Sequence, residues 1–356
     1  MDNFYISYRE EANSRTKSWL WTPAAIFVLA MLSIIGVFYN IPLHKNYYSL
    51  QQIELENQEF LNFVSHYNKA YKTPEEYQNR LSIFLTNLAY IKFHNSLGNS
   101  YLLGVNQFSD LTHEEFQRFM TPIKYEITNE EIKQQEVSYG DIPQQVDWRT
   151  KGAVTPVKNQ LQCACGWAFA ATGAIEGIWF INNNKLLSLS EQELLDCSSS
   201  FGTNGCSGGL ASQAFKFVMA NGITSETNYP YKGVKGKCNT SKQAQGVAKI
   251  TSYETVPPNS PNSLMAIVAQ WPVTVVVESN QAAWQFYRTG IITSNCGVNL
   301  DNSVLIVGYD NTNNPPYWIV KNSWGPSWGE NGYIRIAISS GDGICGINMV
   351  PTYPIY

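Results

Sequence analysis

Hydrophobic and polar positions along this 356-residue chain change rhythm several times, and each change predicts a different element. From Trp19 to Tyr39 the residues are uncharged (WLWTPAAIFVLAMLSIIGVFY), and 21 residues as a helix would rise roughly 30 Å, about the hydrocarbon thickness of a bilayer. From about Gln58 to Ser96 the pattern is helical. Within it Glu76, Arg80, Phe84, Asn87, Ile91 and Asn95 are spaced 4, 4, 3, 4 and 4, which places them within roughly a 100° arc of one helix face. The next segment, YLLGVNQFSDLTHEEF, alternates like a strand and then turns, with Gly104, Asn106, Phe108 and Asp110 on one side. A polar stretch without periodicity follows to about Gly140. An amphipathic run from Trp167 to Ile181 predicts a helix, and Ser190 with Glu193 predicts a capping box before another. The remainder reads as strands (VTVVVES, SVLIVGYD, YWIVKNSWG, GYIRIAI) separated by Gly, Asn and Pro. A helical half followed by a β half predicts an α+β domain of two lobes with a cleft between them.

Charge alters this picture little. Lysine and arginine number 24 against 28 acidic residues, with no basic run, so nucleic-acid binding is not expected. Cysteine alters it more. All seven lie between Cys163 and Cys345, a clustering that predicts disulfides formed in a secretory lumen; reduced buried thiols are the competing reading. The apolar stretch 19–39 bears on that choice. Arg15 and Lys17 precede it, and Trp19, Trp21 and Tyr39 sit where interfacial aromatics would sit, as in a signal-anchor with a cytosolic tail. A cleaved signal peptide is the alternative, although the stretch exceeds a usual apolar region of about 7–15 residues. A buried helix is the third.

The spaced helix face and the strand together match E-x3-R-x3-F-x2-N-x3-I-x3-N and G-x-N-x-F-x-D. The chain therefore resembles cathepsin L-like cysteine peptidases of the papain family, whose inhibitory prosegment carries both patterns. The segment IPQQVDWRTKGAVTPVKNQ, from Ile142, resembles the start of their mature domain. The resemblance implies a papain-like fold, a helical lobe plus a β-barrel-like lobe, preceded by the prosegment. The resemblance covers about Phe60 to Tyr356, and with the apolar stretch before it the expected layout is a cytosolic tail at 1–18, the signal-anchor or signal peptide at 19–39, a stem at 40–57, the prosegment at 58–117, a linker with the activation cleavage region at 118–141, and the peptidase domain at 142–356.

Cysteine catalysis needs a thiolate, a base beside it, and donors for the developing oxyanion. Papain-like enzymes show C-G-[SA]-C-[WY], with His and Asn roughly 130–150 residues downstream. Here the stretch reads Asn159-Gln160-Leu161-Gln162-Cys163-Ala164-Cys165-Gly166-Trp167. Gln160 matches the oxyanion glutamine, but the nucleophile position is Gly166. The histidine position is Asn302, while Asn322 and Trp324 keep the orienting asparagine and its shield. One observation needs no alignment. The four histidines are His44, His66, His94 and His113, and from Ile142 to Tyr356 there is none.

Cys165 is a candidate surrogate thiol, displaced by about 3.8 Å along the chain from the nucleophile position, and it is expected to be exposed near the cleft. The family implies disulfides Cys163–Cys206, Cys197–Cys238 and Cys296–Cys345. It also implies a cleft wall at Gly208 and Gly209 whose backbone pairs with an extended peptide, and an apolar subsite of Leu210, Ala211, Val276 and Ser303. Asn239-Thr240-Ser241 is a glycosylation sequon. No motif calls for a metal or cofactor. The expected partners are peptide or protein ligands in the cleft, the chain's own prosegment, and a membrane through residues 19–39, for a monomer in the secretory or endolysosomal lumen. Two functions compete: an inactive homologue retaining cleft and prosegment, and an active peptidase using an unorthodox site around Cys165.

Overall fold

A computed structural model describes residues 51–123, apart from residue 53, and 142–356. By its internal contacts the chain divides at Glu59/Phe60, and the second unit, Phe60–Tyr356, holds everything considered below. The expected spanning segment 19–39 and most of the expected linker lie outside the described residues. Among the described residues no helix is long and apolar enough to cross a membrane. The transmembrane and signal-anchor assignment is therefore corrected to an uncharged stretch in the sequence, since no described helix carries it.

The single helical region expected from about Gln58 to Ser96 is interrupted between residues 67 and 73. Pro74 lacks an N–H and suits a first helical turn, and the Thr73 hydroxyl accepts a hydrogen bond from the Glu76 N–H at 3.1 Å. Helix α1 thus runs Pro74–Ser96. Its polar stripe holds the next segment. Asn87 donates to the carbonyls of Ser109 and Leu111, Asn95 exchanges two hydrogen bonds with the Leu103 backbone, and Arg80 pairs bidentately with Glu115 while donating to the Asp110 carbonyl at 2.9 Å. Phe84 and Ile91 fill the apolar side of the same face.

Strand β1 (Tyr101–Leu103) continues the prosegment into the large sheet. The other strands are β2 (Gln145–Asp147), β3 (Ser252–Thr255), β4 (Val273–Val277), β5 (Tyr287–Ile292), β6 (Asn302–Asp310), β7 (Tyr317–Lys321), β8 (Tyr333–Ala337) and β9 (Thr352–Ile355). They order as β1-β5-β8-β7-β6-β4-β9-β3, with β2 also on β6; β5 and β8 run parallel and the other pairs antiparallel. Opposite this sheet stand α2 (Gly166–Asn183), α3 (Glu191–Cys197) and α4 (Ala211–Asn221). The Ser190 hydroxyl caps α3 through the Glu193 N–H, but the Glu193 carboxylate takes the Thr224 N–H instead of closing the box. Two buried clusters follow these halves. One packs β-strand residues with Phe108 and Phe116 of the prosegment and Met120 just after it; the other surrounds α2 and α4. Disulfides join Cys163 to Cys206, Cys197 to Cys238, and Cys296 to Cys345.

Candidate active site cleft

Helix α2 begins at Gly166 with Cys165 as its N-cap, and β6 begins at Asn302 on the facing lobe. The first residue of each element carries the question of chemistry. Gly166 has no side chain, and Asn302 uses the space. A β-carbon added at Gly166 would lie 2.8 Å from the Ser303 carbonyl oxygen and closer still to the Asn302 carboxamide oxygen. Real β-carbons do not tolerate such approaches, so this backbone and this Asn302 rotamer require glycine.

Asn322 is buried, and its side-chain oxygen accepts from the Ser323 N–H at 2.8 Å. The amide nitrogens of Asn302 and Asn322 have no hydrogen-bond partner among the described residues, so the two residues are not linked as an orienting pair. Trp324 is buried among Phe108, Phe116, Trp284 and Trp328 at ring-centroid distances of 5.0–6.1 Å. Two of those rings belong to the prosegment.

Gln160 is fully committed. Its side-chain N–H groups donate to the carbonyls of Phe119 and Cys163, each at 2.9 Å, and its oxygen accepts from the Ser323 hydroxyl at 2.6 Å. The first residues after the prosegment extend past it. The Thr121 N–H donates to the Asp301 carbonyl at 3.1 Å, and the Ile123 N–H to the Leu300 carbonyl at 2.8 Å. Gly166, Asn302, Ser303, Gly208 and Gly209 line one small cavity, closed by Phe119, Met120, Thr121 and Ile123. At the expected cleft wall, the Gly208 N–H donates to the Gly205 carbonyl and the Gly208 carbonyl accepts from the Asn204 N–H, while Thr121 lies close enough that a β-carbon at Gly208 would meet its side chain. Of the apolar subsite, Val276 faces Ser303 across β4–β6, while Leu210 and Ala211 open α4 on the opposite lobe.

Cys165 also departs from expectation. It is 0% exposed and free of disulfides, 3.1 Å from the Tyr231 hydroxyl, which itself bonds the Gln160 carbonyl at 2.7 Å. Burial pushes the thiol pKa up to about 12, outweighing the Tyr231 hydrogen bond. An exposed thiol poised at the cleft is therefore corrected to a buried one, because α2 turns its N-cap side chain into the helical lobe.

Sequence reasoning missed several residues. Asp301 anchors the cleft floor by accepting from both the N–H and the hydroxyl of Ser279 and from the Asn280 N–H; burial raises its pKa to about 6. Met120 is buried and takes the Ser279 hydroxyl at its sulfur. Behind the cleft, Lys158 bridges Glu176 and Glu191 at 3.2 and 2.6 Å. Lys321, whose pKa burial lowers to about 8, bonds Thr155 nearby. The sequence signal for this cluster was the run of acids in S-E-Q-E on a helix that otherwise faces inward.

Comparison with known proteins gives this geometry a context. The family model described as papain family cysteine protease matches residues 142–355, and the cathepsin propeptide inhibitor domain (I29) matches residues 60–116. Senescence-specific cysteine protease SAG39 of Oryza sativa subsp. japonica is 42% identical over 300 residues, covering 82% of this chain and 88% of that protein. Cysteine protease XCP2 of Arabidopsis thaliana is 42% identical over 303 residues, covering 83% and 85%. Among solved structures, recombinant stem bromelain precursor superposes with a TM-score of 0.78 at 41% identity, covering 84% of this chain and 98% of that one. Procathepsin L 3 of the Tenebrio molitor larval midgut gives 0.76 at 36% identity, covering 85% and 99%.

Proposed function

The chain belongs to the papain family of cysteine proteases, and from that membership we propose that it is a non-catalytic member, a proform whose cleft holds peptide chain without cutting it. The observation that carries this reading is the lack of any histidine from Ile142 to Tyr356, combined with glycine at the nucleophile position. Without an imidazole there is no base to take a thiol proton and no acid to protonate a leaving amine. The cleft's own occupant is residues 119–123, held by Gln160, Asp301 and Leu300. In other members removing such a segment relieves inhibition; on this reading the chain has no dyad with which to start that cut itself. We place the working boundaries at 58–117 for the prosegment, 118–141 for the linker and 142–356 for the peptidase-like domain, folded in a secretory or endolysosomal lumen that permits its disulfides. Peptide or protein ligands would compete with the prosegment for this cleft.

A second reading keeps hydrolysis and assigns it to Cys165, favoured by the retention of Gln160, Asn322 and Trp324. The buried position and raised pKa of Cys165 weigh against it.

The two separate in one experiment. Wild type, Gly166→Cys, and Gly166→Cys with Asn302→His are freed of prosegment by an added peptidase, then offered a peptide substrate and an epoxysuccinyl thiol probe. Only the double variant should turn over substrate. Wild-type turnover abolished by Cys165→Ala would sink the non-catalytic reading.

A further inference from the structure

Outside the cleft, one motif from the sequence remains unassigned. Asn239-Thr240-Ser241 is the sole Asn-x-Ser/Thr tripeptide in the chain. It opens the short helix Thr240–Gln243, and all three residues are exposed. The two ends of the Asn239 carboxamide are differently engaged. Its oxygen accepts the Lys242 N–H at 3.1 Å as a helix cap, whereas its nitrogen has no protein partner among the described residues. The Asn239 backbone N–H is held by the Tyr229 hydroxyl at 3.1 Å, and the preceding residue, Cys238, is tied to Cys197.

We propose that Asn239 carries an N-linked glycan. Attachment consumes only the nitrogen, so the capping oxygen keeps its role and the folded loop need not change. In the reaction the Asn239 Nδ2 attacks the anomeric carbon of an oligosaccharide linked to a lipid diphosphate. A C–N bond forms while the C–O bond to the diphosphate breaks. The diphosphate leaves with the electron pair, and Nδ2 gives up one proton. A buried or doubly bonded amide could not carry such a group; here it stands in solvent on a loop fixed by a disulfide.

The inference rests on the lumenal reading above, so its test tracks both. The full chain is expressed in cells with a secretory pathway and examined for thiol blocking and for a mobility shift removed by peptide N-glycosidase. The expected result is six cysteines blocked as disulfides with Cys165 alone free, a shift, and mass-spectrometric conversion of Asn239 to Asp after the enzyme. Ser241→Ala, which leaves the Asn239 cap in place, should lose the shift and still be secreted. Six blocked cysteines without a shift would overturn the glycan while leaving the lumenal reading intact. Free thiols at the six paired cysteines would overturn both. A shift that survives Ser241→Ala would assign the sugar elsewhere and also refute the proposal.

Discussion

The fit between Gly166 and Asn302 predicts a coupling that can be measured without any catalysis. Gly166→Ala adds the β-carbon that meets the Asn302 carboxamide oxygen and, at 2.8 Å, the Ser303 carbonyl. Overpacking of this kind costs about 1–3 kcal/mol, offset by up to about 1 kcal/mol from alanine's better helix propensity. The Asn302 contact is the closer of the two. Asn302→Ala removes it, together with an amide nitrogen that is buried without a partner, so that substitution should itself be mild. In its background Gly166→Ala should lose part of its penalty, since the approach to Asn302 is gone while the 2.8 Å approach to the Ser303 backbone carbonyl still forces a shift. The expected interaction energy is about 1 kcal/mol or more, within the range of about 0.5–3 kcal/mol seen for touching residues. Urea denaturation of the four proteins, with unchanged m-values, gives the cycle directly. Additivity within about 0.5 kcal/mol would refute the claim that Asn302 occupies the vacated space.

Three further outcomes follow from the same geometry. The native Cys165 thiol should react with iodoacetamide about a thousandfold more slowly than the same cysteine in urea, because its pKa rises from 9.0 to about 12; equal rates would contradict its burial. Glu193, raised by burial to about 7 against 4.5 unfolded, binds a proton preferentially in the folded state. Its contribution is therefore complete below about pH 4.5 and is lost as pH rises through 7. Glu193→Gln should be stabilising by on the order of 2 kcal/mol at pH 8 and near neutral at pH 4, as read from melting at the two pH values; a variant no better than wild type at pH 8 would refute this. Arg80→Ala should loosen the prosegment by removing its bidentate pair with Glu115, raising proteolytic cutting within residues 101–123 while leaving 142–356 intact; unchanged cutting would show that the pair anchors nothing.

Much of the fold was legible because its signals are local. The strands over 273–277, 302–310, 317–321 and 333–337 coincide with the apolar runs, and the helix starting at Gly166 follows the amphipathic pattern from Trp167. The break before α1 was also written locally, in Thr73-Pro74, but a periodicity extended across 58–96 averages over it. The motif asparagines and Arg80 could be placed on one face by spacing; that they hold the backbone of residues 103–111 could not. At the cleft, identities were legible and orientations were not. The Cys165 side chain is claimed by Tyr231, 66 residues away, and Gln160 by the Phe119 carbonyl, 41 residues before it. Neither separation leaves a trace in a window of sequence. Asn302 turning toward Gly166 depends on a missing side chain, which no propensity describes.

Strand β1 has a consequence beyond holding the prosegment in place. It is the last strand of the sheet, and its neighbour β5 is sealed only by it: Tyr101 pairs with Gly290, the Ile291 N–H bonds the Ser100 carbonyl, and the Ser100 hydroxyl bonds the Ile291 carbonyl. Stripping the prosegment would bare a row of unpaired amides along Tyr287–Ile292, and exposed edges of that kind template pairing between molecules. On the non-catalytic reading proposed above, the cut would bring no turnover in return for that exposed edge, and the short strand would serve as a guard against edge-to-edge pairing.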